Sequence, residues 1–482
     1  MAYLTIILLY STAQIALGVW VARRVKGSRD FFVAGRSLGP GLLFATFLAA
    51  NIGAGSTIGA TGLAYRDGLA AVWWVGSAGL GSIVLALWVG PRIRRIAAEH
   101  DLRTVGDFLE WRYDRRVRAT VAALLWMGTI AILGGQLIGI AAILTVVVGI
   151  PKMAGCALGA LVVTIYFGAG GLKSSAVVNV VQLAVKILGF AIALPLVLGA
   201  VGGLGGLRAA MPDPGFWNPW MHGGSGWIFV AMLGPNFIVS PGLLQKVYGA
   251  RDDRTVRIGV GLNAVALLLY ALMPTLLGMA ARVLHPDLLT AGVLHPDLPS
   301  RELALPYLFM YDLPFWVGAL GLAAVFSAEV SAADAVLFML ATSLSQDLYK
   351  RFVNPAASDR QVLRVARAAS VAGGLAALAV AFLSKTVVDA LSIFYTLVSV
   401  SLFVPIVAGL YLRRPRALEA LAAIAGGVAA VVAAQLWNAG KPIGVFTPAM
   451  FGLAAAAVAF ALAGLAGGPT AASPMGPVGE TR

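Results

Sequence analysis

Two stretches of this chain carry polar and helix-breaking residues inside apolar runs. The first, TFLAANIGAGSTIG, runs from Thr46 to Gly59 and sets Asn51, Gly53, Gly55 and Ser56 within an apolar run over about 42–64. That run is long enough to cross a bilayer. Unwound backbone at such depth persists only where protein buries it or where it lines a watery cavity. There, free carbonyls hold a small hard cation and helix-end amides hold an anionic or polar group. The second stretch, GPNFIVSPGLLQKV, spans 234–247 and places Gly234, Pro235, Pro241 and Gly242 inside a run over 226–248. Two prolines remove two backbone donors, so a straight helix is not expected. The candidate solute contacts are Gly53, Gly55 and Ser56 on one broken helix and Asn236 and Ser240 on the other. Gln136 adds an amide. These small, neutral groups suit a small polar or carboxylated solute.

Of the charges inside apolar runs, three need weighing: Lys186, Glu329 and Asp334. Each is costly against lipid and is expected to face the interior. Glu329 reads as a proton carrier or solute contact, or as a salt-bridge partner for Lys186. Lys186 reads as that pairing cation, or as an ammonium that replaces an ion electrostatically. Ala328, Ser331 and Asp334 are spaced i, i+3, i+6 and share a helix face, from which Glu329 points away.

Composition sets the class that must position these groups. The 482 residues are 60% hydrophobic and 12% charged, roughly half the charged fraction of a soluble domain. The expectation is an all-α polytopic membrane protein. The net charge of +14 sits mainly in short loops, which is the positive-inside pattern rather than a nucleic-acid surface. It places the N-terminus outside and the C-terminus inside a cytoplasmic membrane. Cys156 is the single cysteine, so neither a disulfide framework nor a cysteine metal site is available. No nucleophile–base pair appears within the spans, so an enzyme is not expected.

About thirteen spans follow, near 2–22, 42–64, 69–91, 117–149, 153–169, 172–201, 226–248, 258–282, 313–345, 363–384, 387–412, 417–437 and 446–467. Residues 105–111 form a short amphipathic helix on the inner surface, its charges facing solvent or lipid headgroups. The loop 283–312 repeats VLHPDL at 283–288 and 293–298 and reads as a surface loop rather than a metal site. The chain is one transmembrane domain over 1–467, with an extra N-terminal helix (2–22), a ten-helix core (40–412) and two C-terminal helices (417–467). Residues 468–482 form a disordered cytoplasmic tail. The interrupted helices are first and sixth from Leu42, the separation that an inverted five-helix repeat demands.

Motifs along residues 30–411 strengthen this reading. DFFVAGRSLG, FLAANIGAGSTIGATGLAYRDG, TVGDFLEWRY, GGLKSSAVVNVVQ, SPGLLQKVYGARD and LAAVFSAEVSAADAVLFMLATSLSQDLYK occur in the order found in sodium/solute symporters, and the chain resembles that family. Its relatives carry sugars, proline, pantothenate and sialic acid with sodium. The resemblance implies a leucine-transporter-type core and alternating access. It also implies a secondary active symporter that imports its solute on a cation gradient, sodium first and proton second. A solute-sensing membrane module of the same fold is the alternative. No cofactor is expected; the partners are solute, coupling cation and lipid, with no nucleic acid.

Carried over by residue, the main sodium site comprises the carbonyls of Ala49, Ile52 and Ala328 and the Ser331 hydroxyl. Ala332 stands where a second hydroxyl is expected. A second ion site falls on Asn179 and Asp334, with the carboxylate moved from one helix to the other.

Overall fold

The computed structural model describes residues 2–22, 36–168, 172–220, 226–289, 300–438, 442 and 446–466. The expected tail and the second copy of the loop repeat lie outside the described residues. The described residues are almost entirely helical. α1 (Ala2–Ala22) precedes the interrupted pair α2 (Pro40–Asn51) and α3 (Ala60–Asp67), which a wide π-type turn at Gly55–Gly59 joins. There follow α4 (Val72–Val84), α5 (Gly90–Glu99), α6 (Val105–Arg112), the long α7 (Arg115–Val148), α8 (Lys152–Gly168), α9 (Leu172–Ala200) and α10 (Gly203–Ala210). The second interrupted pair is α11 (Gly226–Val239) and α12 (Pro241–Tyr248). Next come α13 (Asp253–Tyr270), α14 (Leu272–Leu284), α15 (Ser300–Tyr311), α16 (Phe315–Thr342), α17 (Asp359–Leu383), α18 (Val387–Val398) and α19 (Val404–Tyr411). α20 (Ala417–Asn438) and α21 (Pro448–Ala466) pack on each other at the end.

Among the described residues, ten helices are long and apolar enough to cross a membrane, and Ala2–Gln14, Pro40–Asn51 and Lys152–Ile165 are shorter apolar helices. Helix starts follow local chemistry. Pro40 and Pro241 occupy first-turn positions, where the missing N–H is harmless. Thr104, Ser358 and Thr386 close capping boxes with Asp107, Gln361 and Asp389.

Both breaks occur, each narrower than its cluster of breaking residues. α2 stops at Asn51 and the next helical turn starts at Gly55. The second break is Ser240 alone, with ψ 124°, between α11 and α12. Pro235 sits inside α11: the helix runs past it, so Pro241 is the proline that marks the interruption.

Two loop readings need correction. The charges of α6 are not a solvated face. Arg118 joins Asp107 and Glu110 at 2.9 Å each and Asp347 at 2.7 Å, and Arg351 pairs with Glu110. Burial alone raises the Glu110 carboxyl; Arg351 and Arg118 outweigh it and hold it below the usual range. Phe108 and Leu109 are fully buried, so the amphipathic face that looked lipid-bound packs on protein instead.

The stretch 283–312 is likewise more than a surface loop. Leu303, Leu305, Leu308 and Phe309 of α15 are buried in the core. His285 Nε2 pairs with Asp312 at 2.6 Å, and no group of three or more potential metal ligands occurs among the described residues. Glu302, 1% exposed, accepts the Val387 N–H at 3.3 Å at the start of α18. That amide end favours a carboxylate. Burial pushes the Glu302 carboxyl up to about 7, against the pull of Arg301 and the Val387 amide.

A carboxyl raised on folding is neutral in the fold where it is ionised in the unfolded chain. Its contribution is therefore complete below the unfolded value of about 4.5 and lost as pH rises through about 7. The parent's melting temperature should fall between pH 5 and 7.5, at about 1.4 kcal/mol of stability per pH unit. Glu302→Gln should flatten this component in a thermal-shift measurement.

Candidate functional site

The first break sets up the site. In a continuous helix the Gly53 amide would bond Ala49 O and the Ser56 amide would bond Ile52 O. Instead Gly53 N–H goes to Ser56 Oγ at 3.0 Å, and Ser56 N–H to Gly53 O at 2.9 Å. The carbonyls of Ala49 and Ile52 are thereby released at the negative end of α2. Lys186, fully buried on α9, fills this position. Its Nζ donates to Ala49 O and Ile52 O at 3.1 Å each and to the Ser331 hydroxyl. Ser331 Oγ also lies 3.0 Å from Ala49 O and 3.1 Å from Ala328 O. The four residues expected at the main ion position thus converge, and an ammonium lies among them.

Glu329 lies on the other side of the break. Its Oε1 accepts the Thr57 hydroxyl at 2.7 Å, and Oε2 is buried without a hydrogen-bond partner. Thr57 lies in the first turn of the helical segment that restarts at Gly55, where a carboxylate meets a positive helix end. Lys186 and Glu329 feel each other electrostatically, but the expected salt bridge does not form. The carbonyls take the ammonium and Thr57 takes the carboxylate, each at the helix end that suits its sign.

The second-site residues each have a partner outside that pair. Asn179 Nδ2 donates to Thr46 Oγ1 at 3.2 Å. Asp334, 5% exposed, acts electrostatically on Lys246 of α12. Its place on the Ser331 face is as expected; Lys246, which the span assignment overlooked, is the charge it answers.

A cavity with about 730 Å³ of unfilled space, its mouth included, lies between the two broken helices. Gly53, Gly55, Ser56, Gln136 and Ser240 line it as expected. Asn236 does not: its amide donates to Met232 O at 2.9 Å and Ser399 Oγ at 2.7 Å. Gln136 spends its carbonyl oxygen on the Ala54 amide at 2.9 Å, so it braces the break as well as facing the cavity. Sequence reasoning also missed Trp74, whose indole N–H bonds Gly55 O at 2.7 Å, and the aromatic walls Phe237, Phe394 and Tyr395. Lys246 lines the cavity too, donating to Gly242 O at 3.2 Å. Its signal was there: a lysine just past the break within the 226–248 run.

A family model described as the sodium:solute symporter family matches residues 31–427. The sodium/glucose cotransporter of Vibrio parahaemolyticus is 27% identical over 75% of this chain and 71% of its own length. The sodium/pantothenate symporter of Escherichia coli (strain K12) is 28% identical over 84% of each chain. A solved substrate-bound outward-open state of a Na+-coupled sialic acid symporter superposes with TM-score 0.83, at 18% identity, over 98% of this chain and 99% of that one. The closed, bromovinylhydantoin-bound structure of Mhp1, a nucleobase-cation-symport-1 family transporter, gives 0.60 at 15% identity, over 92% and 96%. These two likenesses carry the fold, the leucine-transporter type.

A side chain at Gly53 would disrupt the centre of this arrangement. Its Cβ would fall on the Ala332 methyl and lie 2.7 Å from Gln136 Oε1. Gly53→Ala is expected to lower transport per folded molecule by about five- to a hundredfold, through overpacking worth roughly 1–3 kcal/mol. Gly41→Ala, with nothing within 4 Å of the added carbon, should transport as the parent does. Equal rates for both variants would mean that the break tolerates a side chain.

Proposed function

The chain belongs to the sodium:solute symporter family, and from that premise we propose that it imports a small polar or carboxylated solute by alternating access. Membership makes the protein a secondary active symporter rather than an enzyme, with sodium as the coupling ion that the family implies. The finer reading concerns the solute and the direction. The single observation that carries it is the cavity between two interrupted helices, floored by Gly53, Gly55, Ser56 and Ser240 and walled by Trp74, Phe237 and Tyr395. Glycines and hydroxyls at a helix break offer hydrogen bonds without bulk, and aromatic walls cover the apolar part of a small molecule.

Lys246 adds a preference. A buried ammonium on the cavity wall disfavours a cationic solute and favours one with a carboxylate. Asp334 moderates that field from α16. The excess of basic residues in short loops supports an external N-terminus and an internal C-terminus in a cytoplasmic membrane, and on that reading the inward direction runs towards the side bearing α6.

Solute counterflow in proteoliposomes tests this. Exchange of a labelled small carboxylate or neutral polar solute is expected without any imposed gradient, and cationic analogues should not compete. Lys246→Met should weaken the apparent affinity for carboxylated solutes by about tenfold, the scale of a lost charge-assisted contact, and leave neutral ones within about twofold. Absence of exchange across a broad panel contradicts the carrier reading and favours a sensing module.

A further inference from the structure

We propose that the Lys186 ammonium is the resident cation of the main ion position, standing where a transported ion would otherwise bind. Its surroundings are those of a coordinated cation. Two backbone carbonyls and one hydroxyl surround Nζ, all fully or almost fully buried. Both carbonyls are free only because the chain turns at Gly53 and Ser56 and spends the two amides locally.

An ordinary buried lysine is balanced by a carboxylate in contact. Among the described residues no carboxylate makes an ion pair with Lys186. Glu329 on α16 is the acid that acts on it, and that acid is held by Thr57. The negative end of α2 and the released carbonyls do the balancing, as they would for a free ion.

Two neighbouring positions agree with this assignment. Ala332 places a methyl beside Gly53, where a hydroxyl could have completed an ion's shell. Asn179 carries no charge and is bonded to Thr46. A tethered ammonium brings the positive charge itself and is satisfied by three acceptors, which leaves little work for further oxygens.

The consequence lies in coupling. A cation fixed to α9 holds α2 against α16 without crossing the membrane, so the driving cation enters at another position. This inference rests on the symport reading for what the position does in the cycle, while its test needs no solute and stands even if no transported solute is found.

The purified full-length chain is titrated with radioactive sodium beside Lys186→Ala. The variant should bind one more saturable sodium per chain than the parent, because truncation exposes the oxygens of Ala49, Ile52 and Ser331 to a mobile ion. Equal sodium binding by the two overturns the proposal. Should Lys186→Ala not stay monodisperse, Ser331→Ala decides. Any sodium-dependent thermal stabilisation of the parent should be absent from both or keep its midpoint within about twofold. A midpoint raised about tenfold would mean that sodium touches this hydroxyl in the parent, and overturns the assignment.

Discussion

The interruption of the first core helix creates two unbalanced ends within a few residues of each other, and the packing around it answers both. Carbonyls of Ala49 and Ile52 face the Lys186 ammonium, and the segment that restarts at Gly55 meets the Glu329 carboxylate through Thr57. In water the partial charges at a helix end are hydrated. In a buried site they must be met by protein or by a ligand. An ammonium and a carboxylate, each at the end that suits its sign, let unwound backbone persist at the centre of an apolar bundle. α9 and α16 supply these groups and are thereby tied to the broken helix.

The cavity follows from the same break. Gln136 from α7 and Trp74 from α4 take up the Ala54 amide and the Gly55 carbonyl, which fixes the unwound segment from two sides. Gly53 leaves no space for a side chain between Ala332 and Gln136. The remaining walls are Ser240, the aromatic rings and Lys246, and these are the groups a solute can recruit. Asn236, by contrast, is tied to Met232 O and Ser399 Oγ behind the cavity wall.

Much of this was legible in the residues. Gly, Pro and Ser inside apolar runs contradict a lipid-facing helix so strongly that both interruptions can be placed before any coordinates are known, and motif order from Asp30 to Tyr411 carries the family. What escaped depends on partners distant in sequence. The break at Ser240 spares Pro235, because α11 continues past that proline. Arg118 and Asp347 are far apart in sequence, so a paired network looked like a solvated face. Lys186 and Glu329 appeared complementary because both are lone charges in spans, yet helix ends compete for them and win. Asp334 shares a face with Ser331 as periodicity requires, but the neighbour it senses is a lysine on another helix.

The central claim concerns one nitrogen and the oxygens around it, so the most direct measurement is an experimental structure at high sodium concentration, at a resolution that separates an ion from a side chain. The account predicts continuous density from Lys186 to Nζ, with that atom about 3 Å from the carbonyls of Ala49 and Ile52. A separate ion coordinated by those carbonyls and by Ser331, with Lys186 turned away towards Glu329, would contradict it.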